Sequence, residues 1–291
     1  MKTNGKLPLL IGRRDLIVRT AGVVSLIGLG GVFKTNIAHA ATSVVLTPQE
    51  EEGPYFVDAK LNRSDVITNA DGTLQAGLPL SLGITVSQSV DGVVSPLPNA
   101  YVDIWEANAY GIYSDEASES TTGDTFLRGY QVTDAHGNVH FLTIYPGWYG
   151  GRTPHIHCRV RLYSGSTATY SFETQFFCND TITDAVYNSV FPYTTRAATR
   201  DTFNNTDRVY NFADCTTGAV SGNELLMVLN ANTTRAVASY SLVLDLTAAA
   251  PGSCVGVTDG GISEGSTAGG GPGGGTGGPG GGNPPPGSPP V

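Results

Sequence analysis

The sequence predicts an all-β protein, an antiparallel β-sandwich with long loops and one short helix. Three observations indicate this fold: apolar residues alternate with polar ones, the alternating segments are short, and Gly, Asn and Pro turns separate them. Many short strands with frequent turns are typical of two sheets packed face to face. The sandwich is expected to occupy residues 41–255.

The segment LPLSLGITVSQ is the clearest strand, because apolar residues recur at every second position from Leu80 to Val86. Asp91-Gly92 follows it as a hairpin-type turn. Further strands are predicted in AYVDIWEAN, HIHCRVRLY, YSFETQFF, LLMVLN and ASYSLVLDL. The segment YQVTDAHGNVHFLTIYPG predicts a second hairpin that turns between Asp134 and Asn138.

One helix is predicted, from roughly Thr183 to Val190. It follows Asn179-Asp180, and either Thr183 or Asp180 is expected to be its N-cap, because both side chains can accept a hydrogen bond from the first turn.

Residues 1–40 are predicted to be a signal peptide of the twin-arginine type. The stretch GRRDLIVRTAGVVSLIGLGGVF has a basic start and an apolar middle, and AHAA supplies a small-residue cleavage pattern near Ala40 or Ala41. Arg13 and Arg14 form the arginine pair, although an ordinary secretory signal could contain such a pair by chance. Both routes predict an exported protein, periplasmic or secreted. The twin-arginine route carries folded proteins and therefore suits one that acquires a metal before export.

The expected mature chain is acidic. Of the 16 Lys and Arg and the 25 Asp and Glu residues, six basic residues and one acidic residue lie before position 41, which leaves a net charge of −14. Such a surface repels nucleic acid and anionic lipid, so neither nucleic acid nor a membrane is expected as a partner once the signal is removed. From residue 256 to residue 291 the chain is rich in Gly and Pro, and we expect a disordered tail there.

Four cysteines are present: Cys158, Cys178, Cys215 and Cys254. An oxidising compartment permits disulfides, and four cysteines allow three pairing schemes. We expect Cys178 to pair with Cys215, since both lie in polar segments beside predicted strands, and Cys158 to be a buried thiol.

Residues 145–160, YPGWYGGRTPHIHCRV, contain two of the five histidines of the chain. Because successive side chains of a strand point to opposite faces, His155 and His157 point the same way and can meet one metal ion. An H-x-H pair is also compatible with surface or packing histidines. His136 and His140 lie in or beside a predicted turn, and we expect no metal there.

Two tyrosines lie close to glycines in segments that can turn toward these histidines. Tyr149 lies in the bend PGWYGGR before the histidine strand, and Tyr113 lies in WEANAYGIYSD after another strand. No carboxylate stands near H-x-H in the sequence, so a ferrous site of two histidines and one carboxylate is not suggested locally. Two phenolates and two imidazoles form a hard, anionic donor set that favours ferric iron over zinc.

LPNAYVDIWEANAYGIYSD followed by TIYPGWYGGRTPHIHCRV closely resembles the intradiol ring-cleavage dioxygenases, a family that includes catechol and protocatechuate dioxygenases. The segment TPQEEEGPYFVDAKLNRSDV is similar to the first segment of the smaller, exported members. The resemblance extends from about Thr47 to about Phe212. It rests on an ordered pattern of tyrosine, tyrosine, arginine, histidine and histidine.

The resemblance implies a cofactor, Fe(III), and the side chains that hold it. Its protein ligands would be Tyr113, Tyr149, His155 and His157, with Tyr149 as the displaceable phenolate.

The resemblance also implies residues that act on the substrate. Arg152 matches an active-site arginine of the family, and Gln175 in FETQFF matches a glutamine beside the substrate. Tyr55 in EGPYF would line the pocket. For Gln175 and Tyr55, a sheet amide and a packed ring are the alternatives.

The activity implied is cleavage of a small aromatic diol by O2 to a muconate-type diacid. The acidic surface favours a neutral catechol over a carboxylated one. Protocatechuate-type members build their site from two subunits, so the oligomeric state stays open and includes a homodimer. Two other classes also stay open: another metalloenzyme that uses the H-x-H pair, such as a zinc hydrolase, and a non-catalytic β-sandwich binding module.

Overall fold

The computed structural model describes residues 44–212 and 220–247, and these residues form two β-sheets and a few short helices. The strands are β1 (Pro79–Val90), β2 (Val93–Pro96), β3 (Tyr101–Trp105), β4 (Arg128–Val132), β5 (Asn138–Ile144), β6 (His155–Ser164), β7 (Thr167–Phe177), β8 (Val228–Ala231) and β9 (Ala236–Asp245). The helices are α1 (Asp180–Tyr187), α2 (Ser221–Glu224) and two 3₁₀ turns at Ala117–Glu119 and Tyr193–Thr195.

The two sheets confirm the predicted all-β sandwich. The first sheet has the order β2-β1-β9-β8, and β5 also pairs with β1. The second sheet has the order β4-β3-β6-β7 and is antiparallel throughout. One pairing of the first sheet departs from the antiparallel expectation, because β1 and β9 run parallel from Leu80 opposite Ala236 to Ser89 opposite Asp245.

The hydrophobic core lies where the apolar faces of the strands meet. On β1 the alternate residues from Leu80 to Val86 are buried, as the period of two predicts. On the second sheet Val102 and Ile104 of β3 and Ile156 of β6 belong to the same apolar cluster. Removing this apolar area from water is the main stabilising contribution to the fold.

The opposite face of the second sheet carries polar and aromatic side chains. Strand register places Arg128, Trp105, His157 and Gln175 side by side on β4, β3, β6 and β7, one residue from each strand. Because they are cross-strand neighbours, these four side chains share one face. The row is nevertheless buried, so other parts of the chain must cover it.

The cover includes the segment that precedes β1. Glu50 N donates to Glu173 O on β7, and Arg63 N donates to Tyr130 O on β4. Residues 50–63 therefore cross the outer face of the second sheet from one edge strand to the other. Gly53 in this segment lies against His157, since a Cβ added there would stand 3.3 Å from His157 Cε1.

The turn at Asp134 is present, but the hairpin predicted around it is wrong. Asp134 N donates to Asn138 O and Gly137 N donates to Asp134 O, which closes the turn. The strands on either side belong to different sheets, because β4 pairs with β3 and β5 pairs with β1. The Asp91-Gly92 hairpin between β1 and β2 is confirmed.

The predicted helix forms, but its boundaries and its cap differ from the prediction. It begins at Asp180, and its N-cap is Asn179, whose side chain accepts hydrogen bonds from Thr181 N and Ile182 N. Thr183 lies inside the helix instead, and its hydroxyl donates to Asn179 O. Asparagine is as good an N-cap as aspartate or serine, which explains the earlier start.

Cys158 and Cys178 are both free thiols buried in the apolar core. Cys178, the expected partner of Cys215, packs inside the domain, where it is only 1% exposed. Cys215 and Cys254 lie outside the described residues, as do the predicted signal peptide 1–40 and the predicted tail 256–291. None of the described helices is long and apolar enough to span a bilayer.

Substitution of Gly147 tests how closely two loops approach each other beside the second sheet. A Cβ at Gly147 would stand 1.9 Å from Asn108 O, whereas a Cβ at Gly83 in β1 would meet nothing within 4 Å. We expect Gly147→Ala to lower the free energy of unfolding by at least about 2 kcal/mol, because backbone atoms must move apart. Gly83→Ala is the control and should be neutral or slightly stabilising. Urea titration measures both, and equal stability of the two variants would contradict the close approach.

Candidate metal and active site

Two histidines of β6 form the centre of the site. His155 and His157 are buried on the same face of the strand, as the alternation predicted, and their Nε2 atoms are 3.1 Å apart. His155 Nδ1 donates to Thr153 O at 2.7 Å, which leaves the lone pair of Nε2 facing the site. The ring of Trp105 stacks on His157, with centroids 4.7 Å apart.

The two predicted tyrosines reach the same point from loops. Tyr113 Oη lies 3.4 Å from His155 Nε2, and Tyr149 Oη lies 3.3 Å from the same nitrogen. Tyr113 is fully buried and Tyr149 is partly exposed. The structure therefore brings all four predicted metal ligands together.

Glycines allow the two tyrosine loops to meet. Gly111 has a φ of +86°, and a Cβ there would stand 2.1 Å from Trp148 O. Together with the contact of Gly147 against Asn108, this packs the backbone before Tyr113 directly against the backbone before Tyr149. A side chain at either glycine would hold the two phenols apart.

Burial favours the uncharged form of all four groups as long as no cation is bound. Burial lowers the pKa of both imidazoles well below its ordinary value, and the charge of Arg152 lowers it further, so His155 and His157 are neutral. Burial raises the pKa of the Tyr113 phenol well above its ordinary value and raises that of Tyr149, although Arg152 opposes the shift at Tyr149. A bound cation reverses this preference by stabilising the phenolates.

The arrangement fits a metal better than it fits a hydrogen-bond network. One lone pair, on His155 Nε2, faces three polar atoms at 3.1–3.4 Å. His157 Nδ1 is buried and has no hydrogen-bond partner among the described residues, and it would carry the ring proton if Nε2 bound a metal. Donor atoms that each lie about 2 Å from one ion are separated by about 3 Å, which matches the observed spacing.

The donor set differs from the common zinc sets. Among residues 44–212 and 220–247, no group of three or more His, Cys, Asp or Glu side chains could hold a metal ion. Zinc enzymes normally use such a group, for example three histidines or two histidines and a glutamate. Two neutral imidazoles completed by two phenols fit a harder, more highly charged ion.

The other predicted site residues adjoin the four donors. Arg152 Nη1 lies 3.4 Å from Tyr149 Oη, and Arg152 Nη2 donates to Gln175 Oε1. Gln175 Nε2 in turn donates to Glu51 O at 3.0 Å. Tyr55 stacks on Tyr113 with ring centroids 4.3 Å apart and meets Tyr149 edge-on.

Sequence reasoning missed two buried residues that support this site. Asp207 accepts hydrogen bonds from Arg152 Nε and Thr153 N, and no motif marks it in the sequence. Arg128 donates from Nη1 to Tyr55 O and from Nε to Ser114 Oγ, and so ties the covering segment to the Tyr113 loop. The position of Arg128 beside Trp105 becomes visible only once strand register is known.

His136 and His140 are exposed, so they are not among the buried donors of this site. His140 Nε2 lies 2.7 Å from Ser81 Oγ on the first sheet.

The chain is similar to known dioxygenases. A dioxygenase family model, Dioxygenase_C, matches residues 51–185. The catechol 1,2-dioxygenase of Acinetobacter baylyi is 36% identical over 106 residues, which cover 36% of this chain and 32% of that protein. The protocatechuate 3,4-dioxygenase beta chain of Burkholderia cepacia is 31% identical over 145 residues, which cover 46% of this chain and 59% of that protein.

The chain thus spans less than two thirds of the length of each of these relatives. Among solved structures, an intradiol ring-cleavage dioxygenase from Tetranychus urticae has a TM-score of 0.56 at 26% identity. That match covers 69% of this chain and 95% of the Tetranychus chain.

Replacing one buried histidine should remove metal binding. We expect His157→Gln to lose more than about 100-fold in affinity for ferric iron, because a lost ligand costs more than a lost supporting contact. His140→Gln, which alters an exposed histidine, is the control and should bind iron as the unaltered protein does. Elemental analysis after reconstitution measures both variants. Equal iron content in the two would show that the pair is not a metal site.

Proposed function

Because the chain belongs to the intradiol ring-cleavage dioxygenase family, we propose that it uses ferric iron to cleave a catechol-type diol with O2. The ring would open between the two hydroxyl-bearing carbons and give a muconate-type diacid. The proposed iron ligands are Tyr113, Tyr149, His155 and His157. The observation that carries this proposal is the convergence of two phenols and a second imidazole within 3.4 Å of His155 Nε2.

When bound, ferric iron would supply the Lewis acidity that ionises phenols. It would also bind both hydroxyls of a diol together and make the ring reactive toward O2. The chain supplies the rest. His155 and His157 are neutral. A hydrogen bond to Thr153 O holds the ring of His155, and stacking on Trp105 holds the ring of His157. Two fixed neutral donors leave the anionic charge to the phenolates.

Tyr149 is suited to accept a proton from the incoming diol at its Oη atom. It is the more exposed of the two phenols and sits in a glycine-containing bend, whereas Tyr113 is buried beneath Tyr55. A phenolate that leaves a cation regains basicity, which makes it a competent general base. Tyr113 would keep its place throughout.

Arg152 is suited to stabilise negative charge on the substrate. Its guanidinium is always protonated, and its Nη1 already lies 3.4 Å from Tyr149 Oη. If Tyr149 turned away, Nη1 would be free to donate to an anionic oxygen bound in its place. A fixed positive charge in a water-poor site is an effective form of electrostatic stabilisation. Gln175 holds the guanidinium in this orientation through its side-chain oxygen.

Tyr55 and the covering segment would exclude water from the bound ring. Tyr55 forms an aromatic wall against both phenols. The charges of Glu116 and Glu119 act on the Tyr55 hydroxyl, where they add to burial in raising its pKa. An acidic side of the pocket supports the preference for a neutral catechol over a carboxylated one.

We further propose that the chain is exported with its iron site already folded, and that it works outside the cytosol as a monomer or a homodimer. The basis is the arginine pair at Arg13 and Arg14 and the AHAA pattern after the apolar stretch.

Tyr149→Phe tests the role of the displaceable phenol. We expect the iron-loaded variant to lose part of the visible phenolate-to-iron absorption, and kcat for catechol to fall about 100-fold or more, since the proton acceptor is gone. Tyr101→Phe is the control, because Tyr101 lies at the other end of β3 and packs on Tyr130 and Tyr163. Oxygen uptake, product absorbance and ¹⁸O₂ labelling follow the reaction. A Tyr149→Phe protein with full colour and full activity would exclude this role.

The export proposal has its own test. In a bacterial host with the twin-arginine system, we expect the double change Arg13→Lys and Arg14→Lys to trap unprocessed protein in the cytosol. Arg19→Lys, in the same segment, should still be exported and cut near Ala40. Fractionation and mass spectrometry of the N-terminus measure both. Normal export of the double variant would argue for an ordinary secretory signal.

A further inference from the structure

The segment between the 3₁₀ turn Tyr193–Thr195 and α2 places one fully buried carboxylate, Asp207, against the candidate site. Both of its oxygens are occupied. Oδ2 accepts from Arg152 Nε at 2.9 Å and from Thr153 N at 2.7 Å, while Oδ1 accepts from Val209 N at 2.8 Å and Tyr210 N at 3.0 Å. A buried carboxylate with four N–H donors is saturated, so its own turn holds it in one orientation.

Arg152 depends on this carboxylate for its direction. Its Nε donates to Asp207 and its Nη2 donates to Gln175, and the guanidinium is planar. Fixing two of its nitrogens fixes the direction of the third, Nη1, which points at Tyr149 Oη. Gln175 is neutral, so Asp207 is the contacting anion that balances the buried charge of Arg152.

The same carboxylate also reaches a histidine through the backbone. Thr153 N donates to Asp207, and Thr153 O accepts from His155 Nδ1. A third contact reinforces the connection, because Thr153 Oγ1 donates to Asn204 Oδ1 at 2.8 Å. The segment from Asn204 to Asp207 therefore holds both Arg152 and the peptide that orients His155.

We propose that Asp207 is a positioning residue of the site: it aims the Arg152 guanidinium at the Tyr149 phenol and fixes the backbone that orients His155. Its kinetic consequence rests on the proposed ring cleavage, but the contact itself can be measured without turnover. The side-chain hydrogen bonds of Asp207 run to Arg152, Thr153, Val209 and Tyr210 and to none of the four proposed iron ligands, so its effect on the site passes through Arg152 and Thr153.

The first experiment follows hydrogen exchange at arginine Nε–H by NMR. It uses the mature full chain with and without Ga(III), a diamagnetic stand-in for ferric iron, and assigns the Arg152 signal by its loss in Arg152→Lys. We expect Asp207→Asn to speed exchange at Arg152 Nε–H at least about tenfold, because a buried charge-assisted hydrogen bond is lost.

A matched control is another buried carboxylate paired with an arginine. Asp103 accepts from Arg161 Nε at 3.0 Å and from Arg161 Nη2 at 2.7 Å. Asp103→Asn should speed exchange at Arg161 and leave Arg152 unchanged. It thereby separates loss of a particular contact from general loss of stability.

The second experiment is kinetic. In the iron-loaded protein we expect Asp207→Asn to lower kcat roughly 10- to 100-fold, with bound iron retained and KM changed less, as for other groups that orient residues at a metal site. Asp103→Asn should keep kcat. In an Arg152→Lys background, adding Asp207→Asn should cost less than it does alone, because the part of its effect that passes through Arg152 is already lost.

Asp207→Glu covers the case in which Asp207→Asn does not fold. It keeps the negative charge but displaces it by one methylene, so Arg152 exchange should rise and kcat should fall in the same direction. Unchanged Arg152 exchange in the folded variant would overturn the proposal, as would a kcat loss fully additive with Arg152→Lys. If the unaltered iron-loaded protein cleaves no diol, the proposed function fails, and the exchange measurement alone decides the positioning role.

Discussion

Four polar groups in a water-poor space form the constraint on which the rest of the structure depends. The lone pair of His155 Nε2 faces the second imidazole and both phenols at 3.1–3.4 Å, and the four groups cannot all be satisfied by sharing protons. A single cation bound by both Nε2 atoms and both phenolate oxygens would use the lone pairs of all four atoms at once. Burying the same groups without a cation would cost the free energy of unsatisfied polar atoms. The geometry is therefore that of a binding site rather than of a packed core.

In the β-sandwich, the apolar core and the polar site lie on opposite faces of the second sheet. The inner faces of the sheets supply an apolar core, and the outer face of the second sheet supplies a flat row from Arg128 to Gln175. Loops cover that row, and they approach each other closely because Gly111 and Gly147 carry no Cβ. Strand β6 holds the two histidines, while loops hold the phenols, one of which would move in the proposed reaction.

Local pattern predicted the elements and part of the site, but not the long-range partners. The alternation in β6 placed His155 and His157 on one face, and glycines near Tyr149 and Tyr113 indicated segments that can turn toward them; the resemblance then assigned all four as ligands. Asp207 lies 55 residues after Arg152 in an irregular turn, so no periodicity connects the two. For the same reason the turn at Asp134 could be predicted, whereas the sheet that each flanking strand joins could not. The parallel pairing of β1 with β9 likewise depends on contacts between distant parts of the chain.

The most direct test of the central claim is an anomalous-difference map at the iron absorption edge, from crystals of the iron-loaded mature chain. The account predicts one anomalous peak within bonding distance of Tyr113 Oη, Tyr149 Oη, His155 Nε2 and His157 Nε2 together. A peak at another position, or full occupancy at this position by a different element after purification in the presence of iron, would contradict it.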